Sequence, residues 1–314
     1  MILLMHLGLL ILGFIMLVKG ADWFVDGCAN IAYAFGIPQM IIGLTIVAMG
    51  TSMPEAAVSI AAASKGTADI AVGNIIGSNI INILVILGLS AVFVALKIDR
   101  QSYRIDMPFM IFITILLFAL GYFDGTISHI DGIVLSAIFT GYLYFLYRTT
   151  RKNRADKSER PHTDGKTLLK YLAFILVGGV VVVLGSNIAV DAAVKIATIA
   201  GLSEKFIGLT IVALGTSLPE LATSVTAARK GNADMAVGNV VGSNIFNILF
   251  VLGISSLIVP IPFASGFFVD SMIALLAAVL LWLISLKYRK TGRLSGITFL
   301  LIYGGYLAYL LIQR

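Results

Sequence analysis

Polar residues in this chain are confined to short intervals between long apolar runs. Ten apolar segments emerge, at roughly 3–35, 38–64, 69–96, 105–123, 128–148, 168–200, 204–228, 234–259, 267–287 and 294–313. Most reach the ~20 residues that a helix needs to cross a bilayer. The pattern predicts an all-α polytopic membrane protein of ten transmembrane helices. The first run lacks the basic start of a secretion signal and continues past Lys19 to Ile37, so it reads as a retained helix. The only long polar stretch is TTRKNRADKSERPHTDG, from Thr149 to Gly165.

The runs repeat. IGLTIVAMGTSMPE at Ile42 returns as IGLTIVALGTSLPE at Ile207, and AVGNIIGSNIINILVILG at Ala71 returns as AVGNVVGSNIFNILFVLG at Ala236. The offset is 165 in both, and 32 of the 46 positions from Gly43 to Gly88 match their partners. Towards the ends it becomes 164, where GYL at Gly141 echoes GYL at Gly305. Two five-segment repeats, residues 1–148 and 167–314, are therefore expected around a basic linker at 149–166. An odd number of crossings per repeat places the halves in opposite senses, the inverted arrangement of many secondary transporters.

Composition agrees with a membrane protein. Hydrophobic residues make up 59% of the 314 and charged residues only 12%, against about 25% charged in soluble domains. Lys and Arg gather in the intervals after segments 3, 5, 7 and 9, which hold 17 of the 22. Basic residues mark cytoplasmic loops, so these intervals and the linker face the cytoplasm of a multi-pass cell-membrane protein, and both termini lie outside. The single cysteine, Cys28, excludes an internal disulfide and reads as a packing residue. His6, His129 and His162 are scattered, without metal-ligand spacing.

Glu55 and Glu220 depart from the apolar pattern. Each lies near the middle of a long apolar segment, where an ionisable group costs roughly 2.5–3.5 kcal/mol even on mild scales. A cation is the simplest compensator of a carboxylate. In Gly50-Thr51-Ser52-Met53-Pro54-Glu55 the proline lacks an N–H and breaks the helix. That predicts freed carbonyls around Ala48 to Gly50, beside two hydroxyls. Gly215-Thr216-Ser217-Leu218-Pro219-Glu220 repeats the arrangement. Hard cations such as Ca²⁺ take six to eight oxygens. The competing explanation is a capping box, since Ser52-x-x-Glu55 and Ser217-x-x-Glu220 both fit one.

Asn74, Ser78 and Asn82 share one helical face, as do Asn239, Ser243 and Asn247. Ser78, Asn82, Ser243 and Asn247 suit a cation shell, adding oxygens without charge. Asn74, Asn79, Asn239 and Asn244 fit a helix-bridging role equally well. Gly73, Gly77, Gly238 and Gly242 allow close helix approach. Asp69 and Asp234 read as helix N-caps. Asp22 has helical spacing to Lys19, a pair that the repeat does not share. Asp26 and Asp191 are shared but lie near segment ends, as structural or interfacial groups.

GTSMPE and GTSLPE, each followed by GNxxGSNxxN, resemble the two alpha-repeats of the sodium/calcium exchanger superfamily, particularly its small prokaryotic ten-helix members. The resemblance covers essentially the whole chain. It implies a midplane site on segments 2, 3, 7 and 8, with Thr51, Ser52, Glu55, Ser78 and Asn82 facing Thr216, Ser217, Glu220, Ser243 and Asn247. Backbone carbonyls of Ala48 and Ala213 would complete it. It also implies that segments 1 and 6 slide against the other eight, and that three Na⁺ exchange for one Ca²⁺. Asn at both 82 and 247 favours potassium independence.

The expected function is thus Na⁺/Ca²⁺ antiport, with the ions as cargo, no cofactor, and the lipid bilayer as surroundings. Neither nucleic acid nor an obligatory protein partner is indicated. Ca²⁺/H⁺ antiport through the same glutamates is the nearest alternative. A cation channel is a rival of another class, which an inverted repeat around one charged site disfavours. An intramembrane hydrolase lacks a nucleophile and a histidine cluster.

Overall fold

The computed structural model describes residues 2–65, 68–153, 164–200, 213–264 and 266–312. The first half contains α1 (Ile2–Phe35), α2 (Gln39–Thr51), α3 (Met53–Ser64), α4 (Ile70–Phe93), α5 (Ser102–Asp124) and α6 (His129–Asn153). The second contains α7 (Gly165–Ile199), α8 (Ala213–Thr216), α9 (Leu218–Arg229), α10 (Ala233–Ile258), α11 (Gly266–Tyr288) and α12 (Arg293–Ile312). Among the described residues, eight helices are long and apolar enough to cross a membrane, and the bent pair α2–α3 makes a ninth. The chain is a helical polytopic membrane protein.

Both α6 and α7 extend into the span expected to be linker, with the Asp164 side chain capping α7 by accepting the Thr167 N–H at 3.1 Å. Residues 154–163 of the linker and 204–212 of the seventh apolar segment lie outside the described residues.

Burial ranks the helices. The most apolar windows of α4 and α10 are each 78% buried, against 17% for α1 and α7. So α4 and α10 form the centre, and the two longest helices lie outside it. Both central helices contain a wide π-helical turn, at Asn82–Leu87 and Asn247–Leu252. Such turns recur at functional positions. Small residues permit the central packing: a Cβ on Gly238 would sit 2.7 Å from the Met40 carbonyl of α2.

The outer pair α1 and α7 runs antiparallel along a glycine seam. Gly13 lies against Gly185 and Ala189, Gly20 against Gly178 and Val182, and Gly27 against Tyr171 and Ile175. Gly13, Gly20 and Gly27 recur every seven residues, which keeps them on one face.

Two short strand pairs join the halves. β1 (Leu96–Lys97) and β4 (Lys290–Thr291) are antiparallel, with Leu96 opposite Thr291. β2 (Thr126–Ile127) and β3 (Ile261–Pro262) pair likewise, with Ile127 opposite Ile261. Within each half a tyrosine–aspartate bond ties neighbouring helices: Tyr142 donates to Asp106 at 3.3 Å and Tyr306 to Asp270 at 2.8 Å. These pairs obey the 164-residue offset of the chain ends.

Gly20→Leu tests the seam, because even a Cβ there would lie 2.8 Å from the Val182 nitrogen. Overpacking of this kind costs about 1–3 kcal/mol. The expected outcome is a lower thermal-unfolding midpoint in detergent, with Gly8→Leu, which has open space at its Cβ, as the unaffected control.

Candidate ion-binding site

The apolar segment containing Glu55 bends by 49° between α2 and α3. Ser52 leaves helical geometry there (φ −84°, ψ 9°), and Ser217 does the same in the second half (φ −89°, ψ 6°). Pro54 and Pro219 remove the N–H groups that would have reached Gly50 and Gly215. The Gly215 carbonyl is taken instead by the Ser186 hydroxyl of α7, at 2.9 Å. The Ala48 carbonyl was expected to be freed. It still accepts the Ser52 N–H at 3.0 Å, with the Thr51 and Ser243 hydroxyl oxygens 3.3 and 3.5 Å away.

Ser52 occupies the N-cap position of α3, but its side chain makes no capping bond. Its hydroxyl crosses to the other half and donates to Glu220 Oε1 at 2.7 Å. Ser217 reciprocates, donating to Glu55 Oε1 at 3.3 Å. Ser78 reaches the same oxygen at 3.3 Å and lies 3.0 Å from Ser217 Oγ. The capping-box explanation therefore fails at both glutamates: each serine serves the glutamate of the opposite repeat.

Glu55 and Glu220 are fully buried. Each has its second oxygen, Oε2, without a hydrogen-bond partner among the described residues. Asn82 Oδ1 and Asn247 Oδ1 are buried and unpartnered in the same way, as is Thr216 Oγ1. The asparagine oxygens are left free because their amide nitrogens are committed. Asn82 Nδ2 donates to Asn244 Oδ1 at 2.9 Å, and Asn247 Nδ2 donates to Asn79 Oδ1 at 3.1 Å. Asn79 and Asn244 are themselves locked by exchanging amide-to-carbonyl bonds at 3.4 and 3.2 Å. A buried acceptor left unpaired costs free energy, and a bound cation satisfies several at once.

The other asparagines brace helices. Asn74 donates to Ser59 Oγ at 3.0 Å and to the Glu55 carbonyl at 3.3 Å. Asn239 donates to Ser224 Oγ at 2.8 Å and to the Glu220 carbonyl at 3.5 Å. Ser59 and Ser224 were not among the sequence candidates, although both are serine at matching repeat positions. Ala213 opens α8, with its surroundings outside the described residues. No group of three or more His, Cys, Asp or Glu converges among the described residues. The oxygens gathered here are two carboxyls with hydroxyl, amide and backbone groups, a donor set of the kind hard cations take.

The two halves differ around this centre. Thr51 Oγ1 bonds the Val47 carbonyl at 3.0 Å and lies 3.1 Å from Asn239 Oδ1, while Thr216 lines a cavity of about 530 Å³. That crevice runs between α3, at Met53, Pro54 and Val58, and α7, at Asn187, Val190 and Asp191. On the opposite side, α1 seals the site: Leu17 and Ala21 are buried against Leu218 and Ala222 of α9.

Two peripheral expectations change, those for Asp22 and Asp234. Asp22 pairs with Lys230 at 3.2 Å rather than with Lys19, because α1 brings it against the end of α9. Asp26 joins the same lysine at 2.8 Å. Asp234 is not a cap: Asn232 holds the cap position, and Asp234 lies in the first turn of its helix, where a carboxylate favours the helix dipole. The Asp69 side chain lies outside the described residues.

Residues 5–148 and 170–312 match the family described as sodium/calcium exchanger protein. The chain belongs to that family. It is 36% identical to the inner membrane protein YrbG of Escherichia coli, over 96% of this chain and 94% of the relative. It is 32% identical to the sodium/calcium exchanger MaX1 of Methanosarcina acetivorans, over 96% and 97%. A solved structure of the sodium-calcium exchanger NCX_Mj, soaked without Na⁺ and Ca²⁺, matches with a TM-score of 0.86 at 36% identity. That match covers 98% of this chain and 99% of NCX_Mj.

The asparagine cross-braces can be tested by stability alone. Asn79→Ala and Asn244→Ala each strand a buried amide of the opposite half. Each is expected to cost about 1–3 kcal/mol, read as a lower unfolding midpoint.

Proposed function

We propose that this chain is a secondary antiporter that exchanges Na⁺ for Ca²⁺ by alternating access. The observation that carries the reading is the set of four buried, unpartnered oxygens, Glu55 Oε2, Glu220 Oε2, Asn82 Oδ1 and Asn247 Oδ1, repeated in symmetric pairs. Two ionised glutamates give the site a charge near −2, which one Ca²⁺ neutralises and which two or three Na⁺ also compensate. Thr51, Ser52, Ser78, Thr216, Ser217, Ser243 and the Ala48 and Ala213 carbonyls supply the remaining oxygens. An empty site would drag uncompensated carboxylates through an apolar barrier. Movement is therefore confined to loaded states, and exchange follows without leak.

Ten crossings in two inverted five-helix repeats are part of the proposal, with both termini outside the cell membrane and the basic linker inside. The strand pairs support it by parity. Paired strands must lie on one side of the membrane. Between β1 and β4 the chain passes α5, α6, α7, the α8–α9 segment, α10 and α11, which returns to the same side only if α8–α9 counts as one crossing. The interval from β2 to β3 gives the same result. On this topology α3 is extracellular and α9 cytoplasmic, so the crevice beside α7 opens outwards.

Potassium independence follows from the amides. An aspartate at 247 would set a carboxylate against Asn79 Oδ1, where Asn247 now donates, and would add charge that a further monovalent cation must balance.

The test uses liposomes loaded with Na⁺ and radiolabelled Ca²⁺ outside. Uptake is expected to require the outward Na⁺ gradient, to persist at equal pH on both sides and to ignore added K⁺. An interior-positive potential should accelerate it, since three Na⁺ leaving for one Ca²⁺ entering moves net charge outwards. Glu55→Gln and Glu220→Gln are each expected to reduce uptake to background. Uptake that follows a pH gradient and ignores Na⁺ would reassign the chain to Ca²⁺/H⁺ exchange.

A further inference from the structure

Lys230 ends α9, on the sealed side of the site. Its Nζ lies 2.8 Å from Asp26 Oδ1 and 3.2 Å from Asp22 Oδ1, and it donates to the Asp22 carbonyl at 3.0 Å. One side chain thus fastens the end of α9 to α1. The lysine side chain is 28% exposed and the aspartates 36% and 45%, so the contact borders water rather than lipid alone.

The 165-residue offset gives this lock a counterpart. Lys65 follows α3 as Lys230 follows α9, and Asp191 and Asn187 of α7 stand where Asp26 and Asp22 stand on α1. Yet the only ion pairs among the described residues are those of Lys230. Asp191 and Asn187 face the open crevice instead. The closed side holds its lock, and the open side has the parts of one unassembled.

We propose that Lys230 and Lys65 are alternating positioning residues of the transport cycle. Lys230 with Asp22 and Asp26 holds the α9 side shut while the crevice is open, and Lys65 with Asp191 holds the α3 side shut in the opposite state. This rests on the antiport reading above. The glycine seam makes α1 and α7 one body, so a shift that closes the crevice carries Asp191 towards Lys65 as it carries Asp22 and Asp26 away from Lys230. One pair replaces another, which keeps the two states near in free energy. The exchange is unequal, because Asn187 stands at the position matching Asp22 and brings no carboxylate, and the bias favours the open crevice.

The experiment measures crevice opening directly. Ala57→Cys, which lines the crevice, is placed in a Cys28→Ala background and labelled with a membrane-impermeant maleimide during Na⁺-driven Ca²⁺ uptake in liposomes. Half-exposed ion pairs of this kind shift a population ratio by about two- to fivefold. Lys230→Gln is expected to slow labelling by that factor and Lys65→Gln to accelerate it. Lys230→Arg should leave it unchanged, and Asp26→Lys should restore the rate lost in Lys230→Asp. Equal labelling in all variants, or shifts of the same sign for Lys230→Gln and Lys65→Gln, would overturn the proposal. Wild-type liposomes without Na⁺-dependent uptake would remove the antiport reading instead, and leave the opposite labelling shifts to be judged alone.

Discussion

Two carboxyl groups sealed from solvent inside a lipid-embedded fold impose the constraint around which the rest is arranged. Among the described residues, neither Glu55 nor Glu220 has a cationic side chain as partner. Their charge is managed by hydroxyls, Ser78 from the same half as Glu55 and two serines from across the molecular centre. Ser52 serves Glu220, and Ser217 serves Glu55. Neutral donors steady a carboxylate without cancelling its charge, so the field remains available for a mobile cation. A lysine in place of either serine would satisfy the glutamate permanently and leave nothing for cargo to do.

The helix breaks serve the same end. A continuous helix would commit every carbonyl internally and point only side chains at the site. Proline at 54 and 219 turns the chain there and leaves two carbonyls without an N–H, one of them bound by Ser186. Such backbone is tolerated at membrane depth only when buried in protein, and α4 and α10, with 78% of their apolar windows buried, provide that shelter.

Much of this was legible in the sequence because apolar length and internal repetition are strong signals in a membrane chain. Segment bounds that fall on described residues came within about five residues of the helix ends, and Glu55 and Glu220 stood out as charges where none is cheap. What spacing could not reveal was partnership between distant positions. Nothing local distinguishes Asn79, which braces Asn247, from Asn82, which keeps an oxygen free. The hydroxyl of Ser52 fits a cap by spacing and goes elsewhere because a buried carboxylate is the stronger acceptor. Lys230 looked like an ordinary loop cation until α1 was seen to pass beside it. Ser59 and Ser224 could have been found, since identical polar residues at matching positions of a repeat are rarely surface accidents in an apolar run.

The reciprocal asparagine bonds carry a consequence for whether the two halves can be parted. Asn82 depends on Asn244, and Asn247 depends on Asn79, so the amides that aim the free oxygens are always borrowed from the other repeat. A single repeat holds one glutamate and half of each asparagine bond. Severing the chain between the two repeats would therefore separate both asparagine bonds at once, and neither fragment alone could keep its free amide oxygen aimed.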